Sequence, residues 1–258
     1  MKFSAVLATV VAAVSAAPAA AAATPKILIC SDSTTANYAE GSVLQGWGYY
    51  LKNYLTISVS NLAVNGRSTR SFINEGKWAS LLASTNAGDF VLIEMGHNDD
   101  VDPTIDTKDR GTLPGSGEET VTVTTSTGAQ ETVHTFGWYL RKMIADVKAK
   151  KATPIISGMV PRNYWGGDVL QADWPFANTA KDVAQKAKVQ YVDHTKYSVA
   201  AFQAMGPTES KTYYPNDNTH TNPAGAQINT KTFVQGVKCG SKITLASYLN
   251  ANGAAVSC

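Results

Sequence analysis

Four short segments of this sequence hold side chains suited to acyl transfer. Ser31-Asp32-Ser33-Thr34-Thr35 offers hydroxyls, Val64-Asn65-Gly66-Arg67-Ser68 a glycine amide, and Gly96-His97-Asn98-Asp99 a carboxamide. Asp217-Asn218-Thr219-His220 adds an acid and an imidazole three positions apart. A hydroxyl is a weak nucleophile near neutral pH, so it needs a base beside it and donors for the oxyanion it creates. Together the four segments supply nucleophile, base, orienting group and oxyanion donors. Each alone is ordinary. Ser33 can cap a helical turn, Gly66 can make a turn, Asn98 can be a loop amide, and Asp217 can close its own Asx turn. The segment 31–35 does not by itself single out one hydroxyl.

The histidines narrow the choice of base. His134 falls in a stretch that reads as a hairpin and is expected in solvent. His194 directly follows Asp193 at a strand end, where neighbours point to opposite faces, so that carboxylate is badly placed to hold the ring. His97, between Gly96 and Asn98, reads as a supporting residue, and Asp32 as a hydrogen-bonder within its turn. Asp217 and His220 can share one side of a turn, which lets the carboxylate orient the ring and stabilise an imidazolium. Arg67 either locks its loop or meets an acidic sugar, and the lock is preferred. No His-Glu-x-x-His, Cys-x-x-Cys or Ca²⁺-loop spacing occurs. The acidic stretch Asp99, Asp100, Asp102, Asp106 and Asp109 contains Pro103 and reads as a solvated loop. No Gly-rich phosphate cradle follows the first apolar run. Neither a metal nor a cofactor is expected.

These segments need a scaffold that gathers them. Apolar runs at 26–30, 57–63, 90–95, 154–158 and 190–192 alternate with helix-like segments at 46–55, 71–82, 136–151 and 175–188. A further helical pattern covers 223–237. Short Ile- and Val-rich runs with little polar alternation suit strands covered on both faces. Repeated strand–helix–strand units then imply an α/β three-layer sandwich with a central five-stranded parallel sheet. In such a sheet ligands bind beyond the carboxyl ends of the strands, which is where the first three segments fall. About 118–135, alternating Val and Thr around Ser126-Thr127-Gly128 predicts an inserted β-hairpin. It is expected either to decorate the site or to cover surface.

Charge and composition exclude other classes. The 258 residues are 44% hydrophobic and 16% charged, with a net charge of +2. That is too apolar for a disordered chain and too close to neutral for a nucleic-acid binder, which needs a basic face. Lys2 and the Ala-rich apolar sequence after it read as a signal peptide over 1–23, leaving 24–258 as one domain. The stretch is too short and alanine-rich to hold a membrane. A secreted product without membrane or nucleic-acid partners, acting as a monomer, is expected. Of three cysteines, Cys239 and Cys258 are expected to pair in this oxidising setting, and Cys30 to be a buried thiol. No Asn-x-Ser/Thr sequon is present.

The four segments, in this order, resemble the blocks of the SGNH (GDSL) hydrolase superfamily, whose sheet is flavodoxin-like. Within it the mature chain is similar to the fungal rhamnogalacturonan acetylesterase family, including Tyr191-Val192-Asp193-His194 and the C-terminal cysteines. The resemblance implies Ser33 as nucleophile, His220 as base and Asp217 as its partner. It implies Ser33 N–H, Gly66 N–H and Asn98 Nδ2 as oxyanion donors. Acetylated plant cell-wall polysaccharide, with acetyl carried on pectic rhamnogalacturonan, is the implied substrate. Two departures stand out: Ser31 replaces a family glycine, and the loop after the third block lacks a cysteine pair. Trp165, beside Gly166 and Gly167, is the candidate sugar platform, and no Leu-, Ile- or Phe-rich loop suggests a lipase channel. Alternatives are an acetylesterase on another polysaccharide such as xylan, or a non-catalytic carbohydrate-binding protein on the same scaffold.

Overall fold

The computed structural model describes residues 1, 2 and 24–258. Apart from its first two residues, the segment read as a signal peptide lies outside the described residues. Five parallel strands form the central sheet: β1 (Ile27–Ser31), β2 (Val59–Asn61), β3 (Phe90–Glu94), β4 (Thr153–Ser157) and β5 (Gln190–Val192). Their spatial order is β2-β1-β3-β4-β5. The register places Ile27 beside both Val59 and Phe90.

Both sheet faces are covered, which is why the strands lack polar alternation. Leu28, Cys30, Val91 and Ile93 enter one core, and Ile27, Ile29, Phe90 and Leu92 enter the other. Burying each such Leu, Ile or Val contributes about 1.5–3 kcal/mol, more than the whole spread of strand propensity, about 1 kcal/mol. Packing therefore decides the strands. The first face carries α1 (Thr69–Asn74), α2 (Lys77–Ala83), α3 (Phe136–Ala149) and α4 (Pro175–Lys186). On the second lie a 3₁₀ helix, Trp47–Asn53, and α6 (Pro223–Cys239), against which α5 (His194–Lys211) packs. The molecule is thus a three-layer α/β sandwich. Among the described residues no helix is long and apolar enough to cross a membrane.

Three elements differ from the sequence expectation. The helix read over 71–82 is two helices, broken where Gly76 takes a left-handed φ of +73°. The segment 46–55 winds as 3₁₀ rather than α. Most different is α5, for which the sequence gives no apolar stripe. Its buried side is His194, Thr195, Ser198, Phe202 and Ser210, and Gly206-Pro207 kinks it. A helix that buries polar groups has no hydrophobic periodicity to read.

The hairpin pairs Thr120–Thr124 with Gln130–His134 in antiparallel register. Val123 and Val133 are buried beneath it. In place of a cystine, an ion pair ties it down. Fully buried Arg70 donates from Nε to Glu131 Oε1 at 2.9 Å and from Nη1 to the Gly111 carbonyl at 3.1 Å. Glu131 is partly exposed, so losing it leaves the buried guanidinium of Arg70 without its carboxylate partner. Cys239 and Cys258 form a disulfide. Cys30 is free and buried, and that burial pushes its thiol well above the ordinary range.

Candidate active site

The strand order reverses between β1 and β3, and the crevice beyond their carboxyl ends is where such sheets bind ligands. Ser31, where the resemblance expects glycine, closes β1 without a positive φ. Its Oγ donates to the Glu94 carbonyl at 2.5 Å and lies 2.7 Å from Thr35 Oγ1. The Cβ is therefore accommodated without strain, and the hydroxyl ties β1 to β3.

Asp32 shapes the turn that follows. Its Oδ1 accepts from Thr34 N–H at 2.9 Å and Thr34 Oγ1 at 2.8 Å. Burial works against its charge, yet His97 and these hydrogen bonds hold its carboxyl below the usual range. The turn presents Ser33, whose Oγ lies 2.7 Å from His220 Nε2. His220 Nδ1 meets Asp217 Oδ2 at 2.6 Å, so this nitrogen carries the hydrogen and Nε2 is left to accept from the serine hydroxyl. Asp217 Oδ1 accepts from the backbone N–H groups of Thr219 and His220, at 2.7 and 2.8 Å. Partial burial raises the Asp217 pKa, but these hydrogen bonds outweigh it and hold the group below its ordinary value, as a carboxylate.

On the other side of Ser33, Gly66 sits at φ +75°, a conformation that favours glycine. Neither Ser33 N–H nor Gly66 N–H donates to an acceptor among the described residues. Asn98 Nδ2 gives one hydrogen to the Arg67 carbonyl at 3.1 Å, leaving its second free. The arrangement brings together a hydroxyl, a base with an orienting carboxylate, and three candidate N–H donors. That set is competent for nucleophilic acyl transfer.

Several supporting residues went unremarked in the sequence. Arg162 donates to the His97 carbonyl at 3.1 Å and to Thr219 Oγ1, strapping the loop of the base to the loop of Asn98. Asn163 N–H adds a bond to the Asn218 carbonyl at 2.7 Å. Tyr38 donates its hydroxyl to the Ser33 carbonyl at 3.0 Å. Burial first, then the charges of Asp32 and Asp217, push that phenol up to about 12, so it stays a donor. Arg110 Nη1 donates to Asn98 Oδ1 at 2.9 Å. Arg162, just past the end of β4, would have been flagged by the strand-end rule used for the other segments. Arg110, within an irregular loop, would not.

Other expectations change. His134 is only partly solvated: it stacks on Trp138 with ring centroids 3.8 Å apart, and its Nδ1 is buried. His194 is not on a strand but opens α5, with Nδ1 2.8 Å from Glu94 Oε2, a partner far away in sequence. Asp99 is fully buried rather than solvated, and its Oδ1 accepts from Thr69 N–H at 3.0 Å. Burial pushes its carboxyl up to about 7 against the hydrogen bonds from Thr69. Arg67 locks its loop, donating to Glu75 Oε2 at 2.9 Å and the Asn65 carbonyl at 3.0 Å. Trp165 is half-buried in a short hairpin, its Nε1 bonded to Asn163 Oδ1 at 2.6 Å. It packs toward Leu170 and Phe202, while its neighbour Tyr164 is exposed.

Known proteins share this sequence pattern and fold. A family model described as GDSL-like Lipase/Acylhydrolase matches residues 32–228. The chain is 37% identical to a rhamnogalacturonan acetylesterase of Emericella nidulans, over 83% of this chain and 84% of that one. It is 29% identical to a probable rhamnogalacturonan acetylesterase of Bacillus subtilis, over 82% and 92% of the two chains. The crystal structure of protein YxiM from Bacillus subtilis aligns with a TM-score of 0.67 at 26% identity. That alignment covers 83% of this chain and 56% of the other, so the chain spans little more than half of that structure.

Proposed function

Since the chain belongs to the GDSL-like lipase/acylhydrolase family and is a carboxylic ester hydrolase, we propose that it removes acetyl groups from pectic rhamnogalacturonan, outside the cell, with Ser33 as nucleophile. The observation that carries the chemistry is the continuous chain Ser33 Oγ–His220–Asp217, at 2.7 and 2.6 Å. Support for the substrate comes from the two relatives named as rhamnogalacturonan acetylesterases, matched over most of their length.

His220 Nε2 takes the Ser33 proton as Oγ attacks the acetyl carbonyl carbon. Asp217 holds the ring through Nδ1 and stabilises the imidazolium. The negative charge on the former carbonyl oxygen is met by Ser33 N–H, Gly66 N–H and the free hydrogen of Asn98 Nδ2. Collapse of the tetrahedral species breaks the bond to the sugar oxygen, which leaves with the proton from His220. Water, deprotonated by His220, then attacks the acetyl-serine, and acetate departs as Ser33 regains its proton.

Acetate release from acetylated rhamnogalacturonan, acetylated homogalacturonan and acetylated xylan, measured side by side, tests the substrate. Rhamnogalacturonan is expected to be fastest, and an equal or higher kcat/KM on xylan would refute that assignment. Ser33→Ala is expected to lose on the order of 10⁶ in kcat, as nucleophile knockouts of serine hydrolases do. Full hydrolysis by the folded variant would remove Ser33 from the role. Export is tested by N-terminal sequencing of protein recovered from the culture medium. A chain still beginning at Met1 would contradict a cleaved signal.

A further inference from the structure

We propose that Arg110 is a positioning residue for the oxyanion: its guanidinium fixes the Asn98 carboxamide and brings a positive charge beside the developing negative one. The inference rests on the reading of Asn98 as an oxyanion donor.

Two hydrogen bonds set the plane and sense of the amide. Arg110 Nη1 donates to Oδ1 at 2.9 Å, and Nδ2 donates to the Arg67 carbonyl at 3.1 Å. A carboxamide is nearly symmetric in shape, so only its partners decide which end faces the site. Reversed, it would turn oxygen lone pairs toward the oxyanion. With Arg110 on Oδ1, reversal sets an N–H against a guanidinium N–H. A cation on Oδ1 also polarises the amide and strengthens Nδ2–H as a donor.

The guanidinium ends on no carboxylate, although its charge reaches Asp106 and, against partial burial and together with backbone N–H groups, helps hold that carboxyl below the usual range. Arg67, Arg70 and Arg141 end on the carboxylates of Glu75, Glu131 and Glu118. Among the described residues no carboxylate lies within 4.0 Å of the Arg110 guanidinium. It also borders a second donor, since a Cβ built on Gly66 would lie 3.8 Å from Arg110 Nη1. Among the described residues its buried Nε–H has no acceptor, a cost of a kind found where function fixes a side chain.

The loop carrying Arg110 is itself braced. Asp106 Oδ2 accepts from the N–H groups of Arg110 and Gly111, and buried Arg70 joins the Gly111 carbonyl to Glu131 on the hairpin. Asp109 accepts from Ser126 N–H at the hairpin turn. The insertion therefore braces the oxyanion side of the site.

The test uses p-nitrophenyl acetate, a neutral ester on which recognition of an acidic sugar plays no part. Arg110→Met is expected to lower kcat about 10- to 100-fold, less than the 10²–10³ for losing a donor outright. KM should stay within about twofold, and Arg110→Lys should recover part of the loss. In an Asn98→Ala background Arg110→Met should change kcat little, because its route to the reaction is gone. Unchanged kcat in folded Arg110→Met, an effect on KM alone, or an equal loss with and without Asn98 overturns the proposal. If the Met variant does not fold, Arg110→Gln, which keeps a donor without the charge, is expected to lower kcat by less than the loss set for Met, but still measurably and only when Asn98 is present. An unchanged kcat there overturns the role of the charge. Asn98→Ala with full kcat would instead sink the oxyanion reading beneath it.

Discussion

His220 rests on Asp217 at 2.6 Å, His194 on Glu94 at 2.8 Å and His97 on Asp32 at 3.2 Å. The contacts look alike, but the second ring nitrogen separates them. In His220 it faces the Ser33 hydroxyl, a donor, so it keeps a lone pair to offer. In His194 it faces the Asn229 carbonyl, and in His97 the Val160 carbonyl, each at 2.8 Å. A ring whose second nitrogen is bound to a backbone carbonyl is held in place and does not offer that nitrogen to a nucleophile. Exposure differs in the same sense: the Asp217 side chain is 45% exposed, whereas His194 and Glu94 are sealed. Glu94 also accepts from Trp47 Nε1 at 2.9 Å and Ser157 Oγ at 2.6 Å, so this second pair staples the sheet to the layer behind it. A histidine–carboxylate contact is thus a catalytic element in one place and a structural rivet in the other.

The contrast is open to attack from both ends. The largest effect is expected from Asp217→Asn, which should lose about 10⁴ in kcat, as in other triads whose orienting acid becomes an amide. Its melting temperature should hardly move. A variant that lost stability but kept its turnover would reverse the roles of the two pairs. Glu94→Gln should do the opposite. Both carboxylate oxygens accept, so an amide sets N–H against a donor, and breaking a buried pair costs about 3–5 kcal/mol. For a domain of this size that lowers Tm by roughly 6–20 °C, with turnover per folded molecule near wild type, checked by calorimetry and active-site titration.

Next in size is Asn98→Ala, expected to lower kcat by about 10²–10³ while affinity holds. A change in KM alone would mean that Asn98 only positions the sugar. The last concerns Asp99, which spans the two oxyanion loops through Thr69, and is read in stability rather than turnover. Its folded carboxyl keeps a proton up to about pH 7, while the unfolded one loses it near 3.9. Stability from this group is full below about pH 4 and falls by about 1.4 kcal/mol per unit as pH rises toward 7. Asp99→Asn should flatten that slope and be the more stable form at pH 8. Denaturation at pH 5 and 8 decides it, and an unchanged slope would remove Asp99 as its source.

Much of this was legible before the fold was known. The strands at 90–94 and 190–192 and the helix beginning at Phe136 announce themselves by apolar content and period, because each buries an apolar face. The segments 31–35, 64–68 and 96–99 were marked by type and by their place after strands, and Asp217 and His220 by their spacing, while the family resemblance singled out Ser33, Gly66 and Asn98 within them. What escaped was polar burial. Asp99 looked like one more acid in a hydrophilic loop, His134 like a hairpin residue in water, and α5 like no helix at all. For Arg67 the loop lock was preferred to an acidic sugar, but its partner, Glu75 eight positions on, was not named.

Local patterning set the elements of this protein and named its reactive groups, because secondary structure and strand-end placement are written at short range. Whether a given polar group is a base, a rivet or a strut depended on partners brought from far along the chain, 187 positions for Ser33 and His220 and 100 for Glu94 and His194. Those pairings follow from sheet order and layer packing. The same imidazole–carboxylate contact becomes reactive or inert according to what the fold lays against its other nitrogen.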